Sequence, residues 1–194
     1  YTYLSSVAEL EPDGPEEAQA LSLIRDWDLH TDTANRNAAL GVCILLEEWQ
    51  AERTGNPLPD ARETLHTCMA SVRDVAGRLD PEWGTVQQHG RGQRTWPAAG
   101  GPDTLRAMYA EQLEDEDDFL TVVAGDGLYY LIEWNAEGEQ MIRGTHQYGS
   151  QMTDESSPHY LDQAEAFSQE VTRAPGFYPE NRSAISRRYT VDSS

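Results

Sequence analysis

Apolar residues recur at helical spacing through the first half of the chain and at strand spacing through much of the second. Leu21 and Ile24, with Leu23 and Trp27 beside them, lie on helical spacing together with Asp28. Leu40, Cys43, Leu46 and Trp49 recur in three-residue steps, with Ile44 and Leu45 widening the stripe. This predicts a helix from near Asp32 to about Arg53, ended by Gly55-Asn56-Pro57. Asp60 reads as the N-cap of the next helix, and Glu63 completes a capping box. Leu65, Cys68, Met69, Val72, Val75 and Ala76 form its apolar face, and Gly77 suits its stop. These segments predict a helical hairpin covering one side of a sheet. Residues 1–17, acidic and carrying Pro12 and Pro15, read as an extended lead-in to a helical segment spanning 18–80.

The pattern changes at Asp80-Pro81, which opens an α+β segment over 81–194. Residues 81–103 are rich in Gly and Pro, and read as a long loop pinned by Trp83 and Trp96. Strands are predicted at Leu105–Tyr109, at Leu120–Ala124 and in a hairpin over 128–146. Within the hairpin, Leu128-Tyr129-Tyr130-Leu131-Ile132 is the strongest apolar run, and Asn135-Ala136-Glu137-Gly138 is the turn. Ser157 as N-cap with Pro158 at the first helical position predicts a helix over 158–171, with Ala164, Phe167 and Val171 on its apolar face. Arg187–Val191 reads as an edge strand. The whole pattern is α+β, a helical hairpin followed by antiparallel strands, and is expected to be one structural unit.

Charge then narrows the partners. The 194 residues carry 34 acidic and 14 basic side chains, every basic one an Arg, for a formal charge of −20. Duplex nucleic acid and anionic membranes need a basic face, so neither is expected as a partner. No stretch approaches the roughly 18 apolar residues of a membrane span. The acidity and the lack of Lys fit an origin in salty surroundings. The run Glu114–Asp118 reads as a solvated loop or, less simply, as a divalent cation site.

Candidate chemistry is sparse. Cys43 and Cys68 lie on the apolar stripes of neighbouring predicted helices, so they are either two buried thiols or one interhelical disulfide. The five His show no HExxH and no close pair at ligand spacing, which leaves no metal set in this chain. A Ser-His-Asp reading would take Ser150 or Ser157 with His159 and Asp162. Its rival is a hydrogen-bonded loop that fixes the helix. Glu133 is either a buried acid or a surface residue paired with Arg143. The Gly-rich stretches 100–103 and 125–127 lack the form of a phosphate loop.

Motif order adds what spacing does not. Gly100-Gly101-Pro102-Asp103-Thr104-Leu105-Arg106-Ala107 resembles the GGPDTLRA segment of the penicillin acylase family, and Asp80-Pro81-Glu82-Trp83-Gly84 resembles the PWG segment before it. His146-Gln147-Tyr148-Gly149, followed by Ser157-Pro158-His159-Tyr160-Leu161-Asp162-Gln163, resembles that family's QYG and SPHYxDQ signature. Leu23–Asp28 is similar to the helix ending in WDG that opens the region. The resemblance implies an N-terminal nucleophile hydrolase with a four-layer αββα sandwich. Such an enzyme cleaves the amide of N-acylated small molecules (β-lactams, acyl homoserine lactones, acylated peptides). It further implies autocatalytic processing into a heterodimer, a periplasmic or secreted location, and calcium in the full protein. Residue 1 is Tyr, not Ser, Thr or Cys. The nucleophile is therefore expected outside this chain, which reads as the C-terminal part of the large chain. Its partners would be the small chain and the N-terminal part of the large chain. No catalytic residue is transferred; the matched positions are expected to be structural. The alternative is a stand-alone, non-catalytic binding module with an acidic surface.

Overall fold

The computed structural model describes residues 2–113 and 118–174. The acidic residues 114–117 and the predicted edge strand at 187–191 lie outside them. The chain divides into two compact units, residues 1–126 and 127–194. The division falls at Asp126/Gly127, not at the composition change near residue 80.

The first unit is mixed helix and sheet. Its helices are α1 (Thr2–Ala8), α2 (Pro15–Arg25), α3 (Ala38–Thr54), α4 (Ala61–Ala76) and the single turn α5 (Trp83–Val86). The extended lead-in is not observed. Tyr3 and Leu4 each lie about one helical turn before Val7, and all three are buried against α3 and α4, which makes α1 worth forming. In α3, Ala38, Ala39, Leu40, Gly41, Val42, Ile44 and Leu45 are buried, so its first two turns are enclosed nearly all round. The Trp27 indole lies on Gly41, where any Cβ would strike the ring. Its Nε1 donates to the His30 carbonyl at 2.7 Å. Helix α3 begins at Ala38 rather than near Asp32. Residues 26–37 instead form a loop in which Asp28 Oδ1 accepts from the His30 N–H and the Asn35 side chain.

Helix α4 has the predicted ends. Asp60 accepts from the Arg62 and Glu63 amides, and Gly77 stops the helix at φ 69°. Its buried face is Leu65, Cys68, Met69, Val72 and Val75. Cys43 and Cys68 form a disulfide that ties α3 to α4 across a Cα–Cα distance of 5.8 Å.

A four-stranded sheet packs with these helices. It contains β1 (Gln87–Arg91), β2 (Arg94–Pro97), β3 (Met108–Glu111) and β4 (Leu120–Gly125), in the order β2-β1-β4-β3. The pairs β1–β2 and β3–β4 are antiparallel, but β1 and β4 run parallel, so the sheet is not wholly antiparallel. The connection through 92–119 is long enough to return the chain in the same direction. Residues 83–97 are therefore no loop, and only 98–107 connect β2 to β3 irregularly. Gln87–Arg91 has no β-branched residue, and its strand character comes from its neighbours. The third strand starts at Met108 rather than Leu105, whose side chain is fully exposed.

In the second unit, β5 (Leu128–Trp134) and β6 (Gln140–His146) form a two-stranded antiparallel hairpin, with Gly138 at φ 81° in its turn. Its register places Arg143 opposite Leu131, not Glu133; Arg143 donates to the Thr172 carbonyl, and Glu133 is exposed. Helix α6 spans only Ala164–Ser168. The predicted helix over 158–171 fails because the His159 carbonyl accepts from the Gln151 amide at 3.0 Å, and residues 154–164 form successive tight turns. Phe167 of α6 is buried and meets the Tyr129 ring at 6.0 Å.

Two stability changes are expected. The disulfide closes a 25-residue separation. Its reduction should cost about 3.5 kcal/mol of unfolding free energy, measured by urea denaturation with and without reductant. Leu29 is 49% exposed and sits at φ 64°. Leu29→Gly should therefore raise stability by about 1 kcal/mol, because an L side chain is strained there.

Candidate functional site

The motif positions fall into two groups, one in each unit. In the first unit, Gly100, Gly101 and Pro102 are buried and Asp103 is exposed. The loop they form is fixed by its backbone. Trp83 Nε1 donates to the Gly100 carbonyl at 2.9 Å, and the buried Gln87 amide donates to the Ala98 and Gly100 carbonyls at 3.1 Å. The Gly100 N–H donates to the Thr31 carbonyl, which ties the loop to residues 26–37. Gly100 has φ 100°, and a Cβ there would run into the Arg106 carbonyl, so only glycine fits. The Thr104 hydroxyl closes the turn between Gly101 and Arg106. Trp83 and Trp96 are both buried, as pins of this region should be. Every one of these polar groups is spent on holding backbone.

In the second unit the two predicted segments come together. Gly149 lies against the His159 carbonyl and the Asp162 carboxylate, leaving no room for a side chain. Tyr160 is buried, while Pro158, His159 and Asp162 are exposed and Gln163 precedes α6. His159 Nδ1 is 3.0 Å from Asp162 Oδ2, so the His–Asp half of the triad reading exists. The Ser half does not form around Ser157, whose hydroxyl accepts the His159 backbone N–H. Ser150 is exposed. His146 ends β6 opposite Leu128, immediately before the loop that carries Gly149. This cluster clasps the chain after the hairpin, which matches the reading of a hydrogen-bonded loop.

Sequence reasoning passed over two electrostatic centres. Glu17, at the third position of α2, is buried. It accepts from the Asp13 amide, pairs with Arg62 at 2.5 Å and meets His66 Nε2 at 2.5 Å. The Asp13 amide first, then His66 and Arg62, hold its carboxyl down at about 2. The signal was present: an acid at the third helical position reaching back to the residue before the cap. His89 in β1 is fully buried, stacked on Trp96 at 5.5 Å. Burial, and then the Arg106 charge, push it down to about 4.

The hollows are not chemical centres. An open cleft of about 810 Å³ contains Arg36, Arg73 and Arg78, but Arg36 pairs with Glu82, Arg73 with Glu16 and Arg78 with Asp80. An apolar cavity of about 70 Å³ lies among Val42, Cys43, Leu46, Val72 and Met108. Among the described residues, no three His, Cys, Asp or Glu side chains gather to hold a metal ion. No described helix is long and apolar enough to cross a membrane.

The described residues form an α+β arrangement in which a buried loop is held by backbone bonds and a glycine-tight clasp follows the hairpin. The comparisons name the class: the penicillin amidase family model matches residues 2–184, and the chain belongs to that family. It is 30% identical over 115 residues to the acyl-homoserine lactone acylase PvdQ of Pseudomonas fluorescens (strain Pf0-1). That match covers 57% of this chain and 14% of the relative, so the chain spans a small part of the relative's length.

The buried imidazole makes stability depend on pH. The folded state holds His89 neutral down to about 4, while the unfolded chain protonates it near 6.5. Its contribution is complete above pH 6.5 and is lost as pH falls to 4, at a cost of about 3 kcal/mol. Urea denaturation at pH 7 and 4.5 should show this fall in the wild type and a flatter profile in His89→Gln. Glu17, with its folded value lowered from 4.5 to about 2, begins to lose its contribution near pH 4.5 and loses most of it below the His89 window, so the His89→Gln comparison at pH 4.5 isolates the imidazole.

Proposed function

We propose that this chain is the C-terminal structural part of a penicillin-amidase-type amidohydrolase that cleaves the amide of N-acylated small molecules. The family match across residues 2–184 carries the reading. The relative's name, an acyl-homoserine lactone acylase, favours N-acyl homoserine lactones among the substrate classes. The described residues supply a helical layer, a mixed sheet and a hairpin, and their motif glycines and tryptophans hold loops. The nucleophile, an N-terminal Ser whose own α-amine is the general base, would come from another part of the protein, as would the oxyanion donors. The small chain and the rest of the large chain are its proposed partners, within a four-layer αββα sandwich. The Cys43–Cys68 disulfide supports a periplasmic or secreted location, since such bonds persist in oxidising compartments.

The test is the intact mass of the protein from its source, native and denatured, with an assay of N-acyl homoserine lactone hydrolysis. A native species well above 21.7 kDa that separates into unlike chains, one starting with Ser, and that releases homoserine lactone, is the expected outcome. The 194-residue chain alone should release none. Turnover by that chain alone, or a lone 21.7 kDa native species, would overturn the reading.

A further inference from the structure

The hairpin carries more exposed apolar surface than any other described part of the chain. Leu128, Tyr130, Ile132 and Trp134 alternate along β5 and so point to one face, where they are 54%, 54%, 45% and 63% exposed. Ile142 lies opposite Ile132 on the same face. The other face is partly covered: Phe167 of α6 lies on Tyr129 and Thr145 is buried, while Leu131 on that face is 55% exposed. The row of four is the longer continuous apolar surface.

The same four residues present a free backbone edge. Tyr130 pairs with Gly144, and both the N–H and the carbonyl of Gly144 bond to Arg173 on the side away from β5. The pair is thus a non-hydrogen-bonded one, and the Tyr130 N–H and carbonyl point outward from β5. Strand alternation turns the backbones of Leu128, Ile132 and Trp134 the same way. The Gln147 amide bonding to the Gly127 carbonyl fits this parity. The two-stranded sheet has no further strand on the β5 edge among the described residues. A seven-residue edge with a large apolar row beside it is a template for another strand. A lone hairpin is marginal without such cover.

We propose that the outer edge of β5 docks an extended apolar segment of the longer acylase polypeptide, which pairs with the strand and lays its side chains against the row. The inference rests on the proposed function, because it needs a longer protein. Length supports this occupant: the matched relative extends far beyond the part this chain covers. Charge disfavours a second copy, since each chain carries −20 and a dimer would double the repulsion.

The experiment places p-benzoylphenylalanine at position 130 (Tyr130→p-benzoylphenylalanine) in the full-length protein, irradiates it, and sequences the cross-linked peptide by mass spectrometry. Hydroxyl-radical labelling of Trp134 in the unsubstituted protein is measured in parallel. A cross-link to a peptide outside these 194 residues, with Trp134 protected at least about tenfold against the denatured protein, is expected. A cross-link to residues 175–194 or to a second copy would overturn the docking, as would Trp134 labelled as fast as in the denatured protein. The intact mass recorded before irradiation separates the two failures. A 21.7 kDa species sinks the proposed function, whereas a longer protein with Trp134 open sinks only the docking.

Discussion

The first unit depends on one constraint: the opening turns of α3 have almost no polar side. Seven of the eight residues from Ala38 to Leu45 are buried. A helix apolar all round is stable only when other elements enclose it. Helices α1 and α2 cover part of it, with the Trp27 ring seated on Gly41. Helix α4 adds its own apolar stripe and a covalent tie. The loop 26–37 anchors this helical layer to the loop after β2 and to α5, through Thr31 to Gly100, Thr33 to Gly84 and Asn35 to Trp83.

The family motifs make sense as parts of this construction. Gly100 lets the chain pass the Arg106 carbonyl, and Trp83 and Gln87 fasten that passage from below with side-chain donors. Gly149 lets the chain pass the His159 carbonyl in the second unit. In both places a glycine marks a close backbone approach, and around Gly100 the polar side chains donate to backbone carbonyls. The exposed His159–Asp162 pair belongs to the same clasp. The chemistry of an amide hydrolase needs a nucleophile beside a base, and the described residues hold no such pair around His159.

Legibility followed the range of the forces. The capping of α4 by Asp60, its stop at Gly77, the apolar stripe through Cys68 and the hairpin turn at Gly138 are set within a few residues, and each is where the pattern predicts it. The strand Gln87–Arg91 was illegible because its residues have little β preference; Trp96 and the parallel partner Leu120 hold it. Helix α1 was hidden by the prolines that follow it, although Tyr3, Leu4 and Val7 carried the period. The Ser157-Pro158 start looked complete locally and still gave only a tight turn, because the distant Gln151 amide took the carbonyl that a helix would need. The site motifs were legible as segments, but the contact of Gly149 with His159 and Asp162 was not.

The sequence by itself determined the helix ends, the hairpin, the acidic charge and the order of motifs that marks the family, because each depends on residue type and short spacing. Tertiary structure alone decided that the cysteines pair, that β1 and β4 run parallel, that Glu17 and His89 are buried, and that one face of β5 is left open. Those outcomes depend on which surfaces meet after the chain has turned back on itself. Burial, charge perturbation and strand pairing are properties of such meetings, not of any one segment.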